Sequence, residues 1–195
     1  INDRTGEAGL SRTTTLGTPV EVSVPVPGLQ GRVSVNTGSV TMFQGNLSNS
    51  FVQSRQFGTN ALSAGRPIGR PDEQQTGAPI GIGYTGQYLR ADIGSTPLGF
   101  RRTNVVGGVE VVVPLHQRVN LRVIGENRAV TGSMLSYAGL RDPLSGQTWG
   151  GVTRAGGRGQ VEVALTDRVG LYAGGAGYSI TGRGVKDNTS YEIGG

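Results

Sequence analysis

The sequence predicts an all-β chain, the wall of an antiparallel up-and-down β-barrel that crosses a membrane with its strands. Three observations predict it. Apolar and polar residues alternate with a period of two in segment after segment. Glycine supplies 35 of the 195 residues, against a usual share of about 7%, which disfavours helices. Long and short connections fall on opposite ends of the strands, as barrels with short inner turns and larger outer loops require.

Taken in order, a first strand is expected around residues 7–16. In the second, Val20, Val22, Val24 and Val26 alternate with Glu21, Ser23 and Pro25, and Gly28-Leu29 turns the chain. Val33 and Val35 against Arg32, Ser34 and Asn36 make the third, which ends in a long irregular outer loop over residues 41–76. Ile80, Ile82 and Tyr84 alternate with Gly81 and Gly83, and Gly86-Gln87 turns into Leu89, Ala91 and Ile93 against Arg90 and Asp92. After a loop near Pro97, Val109, Val111 and Val113 oppose Glu110. A turn at 115–118 leads to Val119, Leu121 and Val123 against Asn120 and Arg122, with Glu126 and Arg128 in the same parity. A second outer loop is expected over residues 132–148. Val161, Val163 and Leu165 then oppose Arg158, Gln160 and Glu162, and Thr166-Asp167 turns into Val169, Leu171 and Ala173 against Gly170, Tyr172 and Gly174. A loop near Arg183 precedes a further strand beginning near Thr189. About nine to ten strands result, in a single domain over residues 1–195.

The same alternation also suits a soluble β-sandwich. Against that stand the light apolar face, built of Val, Leu, Ile, Ala and Gly, and the repeated placing of Arg and Glu on neighbouring strands of the other face.

Composition excludes several functions. There is no cysteine and one histidine, His116, so neither a thiolate nor a histidine metal site can be assembled, and no metal or cofactor is expected. The charge of +5 is carried almost wholly by dispersed arginine, with no basic cluster interleaved with aromatics, so no nucleic-acid partner is expected. No apolar run approaches the roughly 20 residues of a membrane helix.

Candidate site residues follow from parity. With Val, Leu and Ile toward lipid, Arg90, Asp92, Glu110, Arg122, Glu126, Arg128, Arg154, Arg158 and Glu162 share the lumenal face, as do Tyr172 and Tyr178. Arginine at mid-depth on the lipid face would cost about 2–4 kcal/mol, so the arrangement is self-consistent. These charges could contact a hydroxyl-rich polymer or could brace the wall as an ion-pair network. The tyrosines could offer an aromatic face to such a polymer or sit at an interfacial girdle. Glu110, Glu126 and Glu162 could pair as glycosidase carboxylates, but acids of one parity are expected in any polar pore. No catalytic residues and no enzyme activity are expected. In the loop 132–148, Tyr137, Arg141 and Asp142, with Trp149 just beyond, either fold inward as a gate or cap the outer rim. Position favours the rim, with Trp149 at the outer interface.

Several runs resemble the C-terminal domain of the bacterial cellulose synthase operon protein C family. They are Thr96-Pro97-Leu98-Gly99-Phe100, Asn104-Val105-Val106-Gly107-Gly108, the stretch from Ala129-Val130-Thr131 through Ser136-Tyr137-Ala138-Gly139-Leu140-Arg141-Asp142-Pro143 to Trp149-Gly150-Gly151-Val152, and Thr181-Gly182-Arg183-Gly184-Val185-Lys186-Asp187-Asn188-Thr189. The resemblance implies a sixteen-stranded outer-membrane barrel, of which this chain would hold the N-terminal part. A helical repeat scaffold absent here would precede it and reach periplasmic and inner-membrane cellulose synthase components. It further implies a passive pore exporting nascent cellulose, a β-1,4-glucan, from periplasm to exterior, with the glucan chain and outer-membrane lipid as partners. The alternatives are a soluble or surface-located β-sandwich that binds polysaccharide or acts as an adhesin, and a general porin.

Overall fold

The computed structural model describes residues 1–5, 12–28, 30–44, 62–63, 66–67, 74–141 and 146–195. Twelve strands form one antiparallel sheet: β1 (Asn2–Arg4), β2 (Thr13–Pro25), β3 (Gly31–Gln44), β4 (Gln74–Gly77), β5 (Ile80–Gly86), β6 (Leu89–Ser95), β7 (Val105–His116), β8 (Val119–Ala129), β9 (Leu140–Arg141), β10 (Thr148–Ala164), β11 (Gly170–Arg183) and β12 (Asn188–Gly194). Its order is β1-β2-β3-β5-β6-β7-β8-β10-β11-β12, each strand beside the next along the chain, with β4 added to β3 and β9 to β10. One four-residue helix, α1 (Met134–Tyr137), lies between β8 and β9, and residues 62–63 pair with 66–67. The fold is an up-and-down partial barrel.

The alternation fixes two faces. Register places Val22 beside Val35, Val35 beside Ile82, and Ile82 beside Ile93. Leu89, Val111 and Val123 continue the same face across β6, β7 and β8. This apolar face is uncovered: Val22 is 64% exposed, Ile93 59% and Leu171 60%, and among the described residues no second sheet packs on it. A sandwich would bury such a face.

Short turns join β2 to β3, β5 to β6, β7 to β8 and β10 to β11, all at one end of the sheet. The longer connections, including residues 96–104 and 130–147, lie at the other. Of the expected first strand at 7–16, residues 7–11 lie outside the described residues. Thr13 to Leu16 run on through Gly17-Thr18-Pro19 into β2, and β1 at the N-terminus pairs with Thr13, Thr14 and Thr15. Pro19 does not break β2 because past Thr15 the outer side of this strand has no partner among the described residues, where a missing donor costs least. The expected loop 41–76 is narrowed at both ends, since 41–44 complete β3 and 74–76 return in β4.

The buried core lies on the other face at the long-connection end. Met42, Phe100, Met134, Ala138 and Leu140 form one cluster, with Val40, Leu135, Tyr137 and Trp149 against it. Met42 is on β3 and Trp149 on β10, which stand five steps apart in the sheet, about 24 Å if it were flat. Their meeting in one cluster shows that the sheet curls toward this face. Residues 132–141 therefore lie across the concave side of the sheet, because Met134, Leu135, Ala138 and Leu140 bury apolar surface there.

Candidate functional site

The concave face carries a charged wall. Arg90 lies opposite Glu110 on β7. The Arg122 guanidinium on β8 donates to Glu110 on one side and, from Nε at 2.7 Å and Nη2 at 3.3 Å, to Glu162 on the other, while Gln160 donates to Glu162 at 2.8 Å. A second ladder runs nearer the long connections. Arg128 grips Asp92 with both Nη atoms at 2.5 and 2.6 Å and reaches Glu126 at 3.4 Å. Arg154 bridges Glu126 at 3.3 Å and Glu192 at 3.1 Å, and Arg158 donates to Glu192 at 2.6 Å.

All nine charged residues expected on this face thus meet on it, joined by Glu192, and the five arginines are matched by five carboxylates. Glu192 escaped the sequence reading because β12 is short, although Tyr191-Glu192-Ile193 continues the alternation. These side chains keep between 18% and 62% of their surface, so the pairs face solvent as well as one another. Such pairs hold side-chain positions more than they stabilise the fold, at about 0–1 kcal/mol each.

Both tyrosines share this face, Tyr172 opposite Glu162 and Tyr178 opposite Gly156. Their surroundings differ. Tyr178 is 6% exposed, with the Arg154 guanidinium 3.9 Å from its ring centroid, whereas Tyr172 is 54% exposed.

The inward segment is held by named contacts. Ser133 and Ser136 cap α1 reciprocally. Phe100 meets Tyr137 edge-on with centroids 5.3 Å apart. Burial pushes the Tyr137 phenol upward from its ordinary range. Gln75, buried on β4, donates to the Gly139 carbonyl at 2.6 Å and accepts from the Arg101 amide at 2.9 Å, so one side chain ties both inner loops to the wall. Arg141 pairs with Thr148 and donates to the Gly146 carbonyl at 3.2 Å. Asp142 lies outside the described residues.

The expected place of Trp149 at an outer interface is corrected. Gly150 and Gly151, at φ of 85° and 64°, form a bulge between the Gly150 and Thr153 pairings. The extra residue reverses parity, so Trp149 turns to the concave face and joins the core. Gly150 also abuts the Leu135 carbonyl, leaving no space for a side chain.

A curled antiparallel meander with one bare apolar face, one charged face and loops folded across its concave end defines the wall of a β-barrel. The chain belongs to the family described as the C-terminus of cellulose synthase operon protein C, whose family model matches residues 11–195. It is 39% identical over its whole length to the cellulose synthase 2 operon protein C of Komagataeibacter xylinus. It is 32% identical over its whole length to the cellulose synthase operon protein C of Pseudomonas fluorescens, and 30% identical over 86% of its length to that of Salmonella typhimurium. The chain spans 14–15% of the length of these three relatives.

Proposed function

We propose that this sheet is part of an outer-membrane pore that conducts nascent cellulose from periplasm to exterior, its apolar face in lipid and its charged face lining the path. The observation that supports this most directly is the separation of faces. Val105 to Leu115 along β7 spans about 34 Å, and a strand tilt of about 35–45° projects that to about 24–28 Å, the height of a barrel's lipid-facing band. The relatives' names supply the polymer.

A glucan needs many weak hydroxyl partners and quick release, which a wall of paired arginines and carboxylates offers. The pairing also argues against hydrolysis, since Glu110, Glu126 and Glu162 are each engaged by arginine, whereas a glycosidase needs two carboxyl groups turned to the scissile bond. The conduit is therefore passive, driven by synthesis at the inner membrane, and the loops bearing Phe100, Tyr137 and Leu140 narrow its outer end.

Deletion of the domain in cells whose synthase stays active tests the reading. Extracellular cellulose should vanish while polymer accumulates inside. Normal secretion would refute it.

A further inference from the structure

The geometry points to a sugar-stacking subsite at Tyr172, a place on the wall where one pyranose of a β-linked glucan rests. It rests on the export reading and gives that reading a specific contact.

A groove of about 170 Å³ on the charged face is lined by Arg158, Gln160, Tyr172, Gly174, Ala176 and Glu192. Tyr172 stands at one end, 54% exposed among the described residues, and the Arg158–Glu192 pair closes the other at 2.6 Å. The floor between them is bare. Gly174 lies opposite Gln160, and a Cβ there would come within 3.0 Å of Gln160 Cα and Cβ, so this position keeps no side chain. A flat ring can therefore lie along the wall against the tyrosine.

The chemistry selects the ligand. In a β-1,4-glucan all hydroxyls and linkages are equatorial, which leaves the axial C–H faces of each ring apolar and suited to an aromatic surface, while the rim carries donors and acceptors. The rim here meets the Gln160 amide, the Glu192 carboxylate and a guanidinium whose five N–H donors exceed the single bond that Arg158 makes to Glu192. Tyr178 cannot serve in the same way, because Arg154 covers its ring at 3.9 Å. Tyr172 follows the β10–β11 turn by only a few residues, at the short-turn end where an exported chain would enter.

The test is isothermal titration of the intact protein in detergent with cellohexaose. Tyr172→Ala should weaken cellohexaose binding about threefold to tenfold, the range of one aromatic contact, while Tyr172→Phe binds like the parent. Equal affinity of parent and Tyr172→Ala overturns the subsite, as does a Tyr172→Phe variant as weak as alanine, or no cellohexaose binding by the parent. Cellulose secretion by cells carrying each variant, read beside the deletion, keeps the outcomes apart. Secretion that still requires the domain leaves the export reading standing when the subsite fails.

Discussion

Replacing Val111 by arginine tests the assignment of faces more sharply than any change to the charged wall. Val111 lies near the middle of β7, flanked by Leu89 on β6 and Val123 on β8, so the new charge would sit in the centre of the apolar band. Arginine at mid-depth on a barrel's lipid face costs about 2–4 kcal/mol, and less near either interface. At about 1.36 kcal/mol per factor of ten this is a shift of about 30- to 900-fold in the folding equilibrium. The control is Ile124→Arg, one position on in β8 from the same face pair. It lies on the charged face between Glu110 and Arg158, where an added cation meets an acid on one side. Unfolding by urea from phospholipid vesicles should show Val111→Arg destabilised by about 2–4 kcal/mol and Ile124→Arg by less than about 1. The reverse order, or equal small effects, would refute the lipid-facing assignment and return the chain to the soluble class.

A double-mutant cycle on Asp92 and Arg128, the bidentate pair, should return a coupling of about 0.5–1 kcal/mol by the same unfolding measurement, as both side chains are about two-fifths exposed. Gly150→Val, at a φ of 85° and against the Leu135 carbonyl, should cost about 1–3 kcal/mol and release the inner segment, seen as new protease cuts within residues 132–148 while the sheet stays intact. Because burial raises the Tyr137 phenol, the folded loop holds its proton more tightly than the free loop. Its packing should therefore be constant up to about pH 10 and weaken above it, as protease cleavage within 132–148 would report, and Tyr137→Phe should abolish that dependence. Neutralising Arg122, Glu126 and Glu162 together should change conductance in planar bilayers, and an unchanged conductance assigns them to bracing alone.

Much of the sheet was legible because period-two alternation is a local signal. Leu89-Arg90-Ala91-Asp92-Ile93 states both faces of β6 within five residues, and parity carried Arg122, Glu126 and Arg128 to one side of β8. The failures have physical causes. Gly17-Thr18-Pro19 has the composition of a break, but on an unpartnered edge it costs the ladder little, so β2 runs through it. Trp149 is placed at the outer interface by its position at the start of a strand, which carries no information on the face it takes; two adjacent glycines before Val152 are the available sign of the bulge that turns it inward. The inward course of Met134, Leu135, Ala138 and Leu140 was not legible, because their partner Met42 sits on a strand far away in sequence and only curvature brings it near.

That last contact bears on the order in which the molecule forms. The β5–β6 and β7–β8 hairpins close short turns and can pair early, in microseconds by the scale of isolated hairpins. Met42 and Met134 cannot meet until the intervening strands have paired and bent, so seating the inner loop demands a distant closure and should come late. Docking of that loop is then a natural checkpoint of assembly: a sheet that has paired in the wrong register or stayed flat has nowhere to put α1.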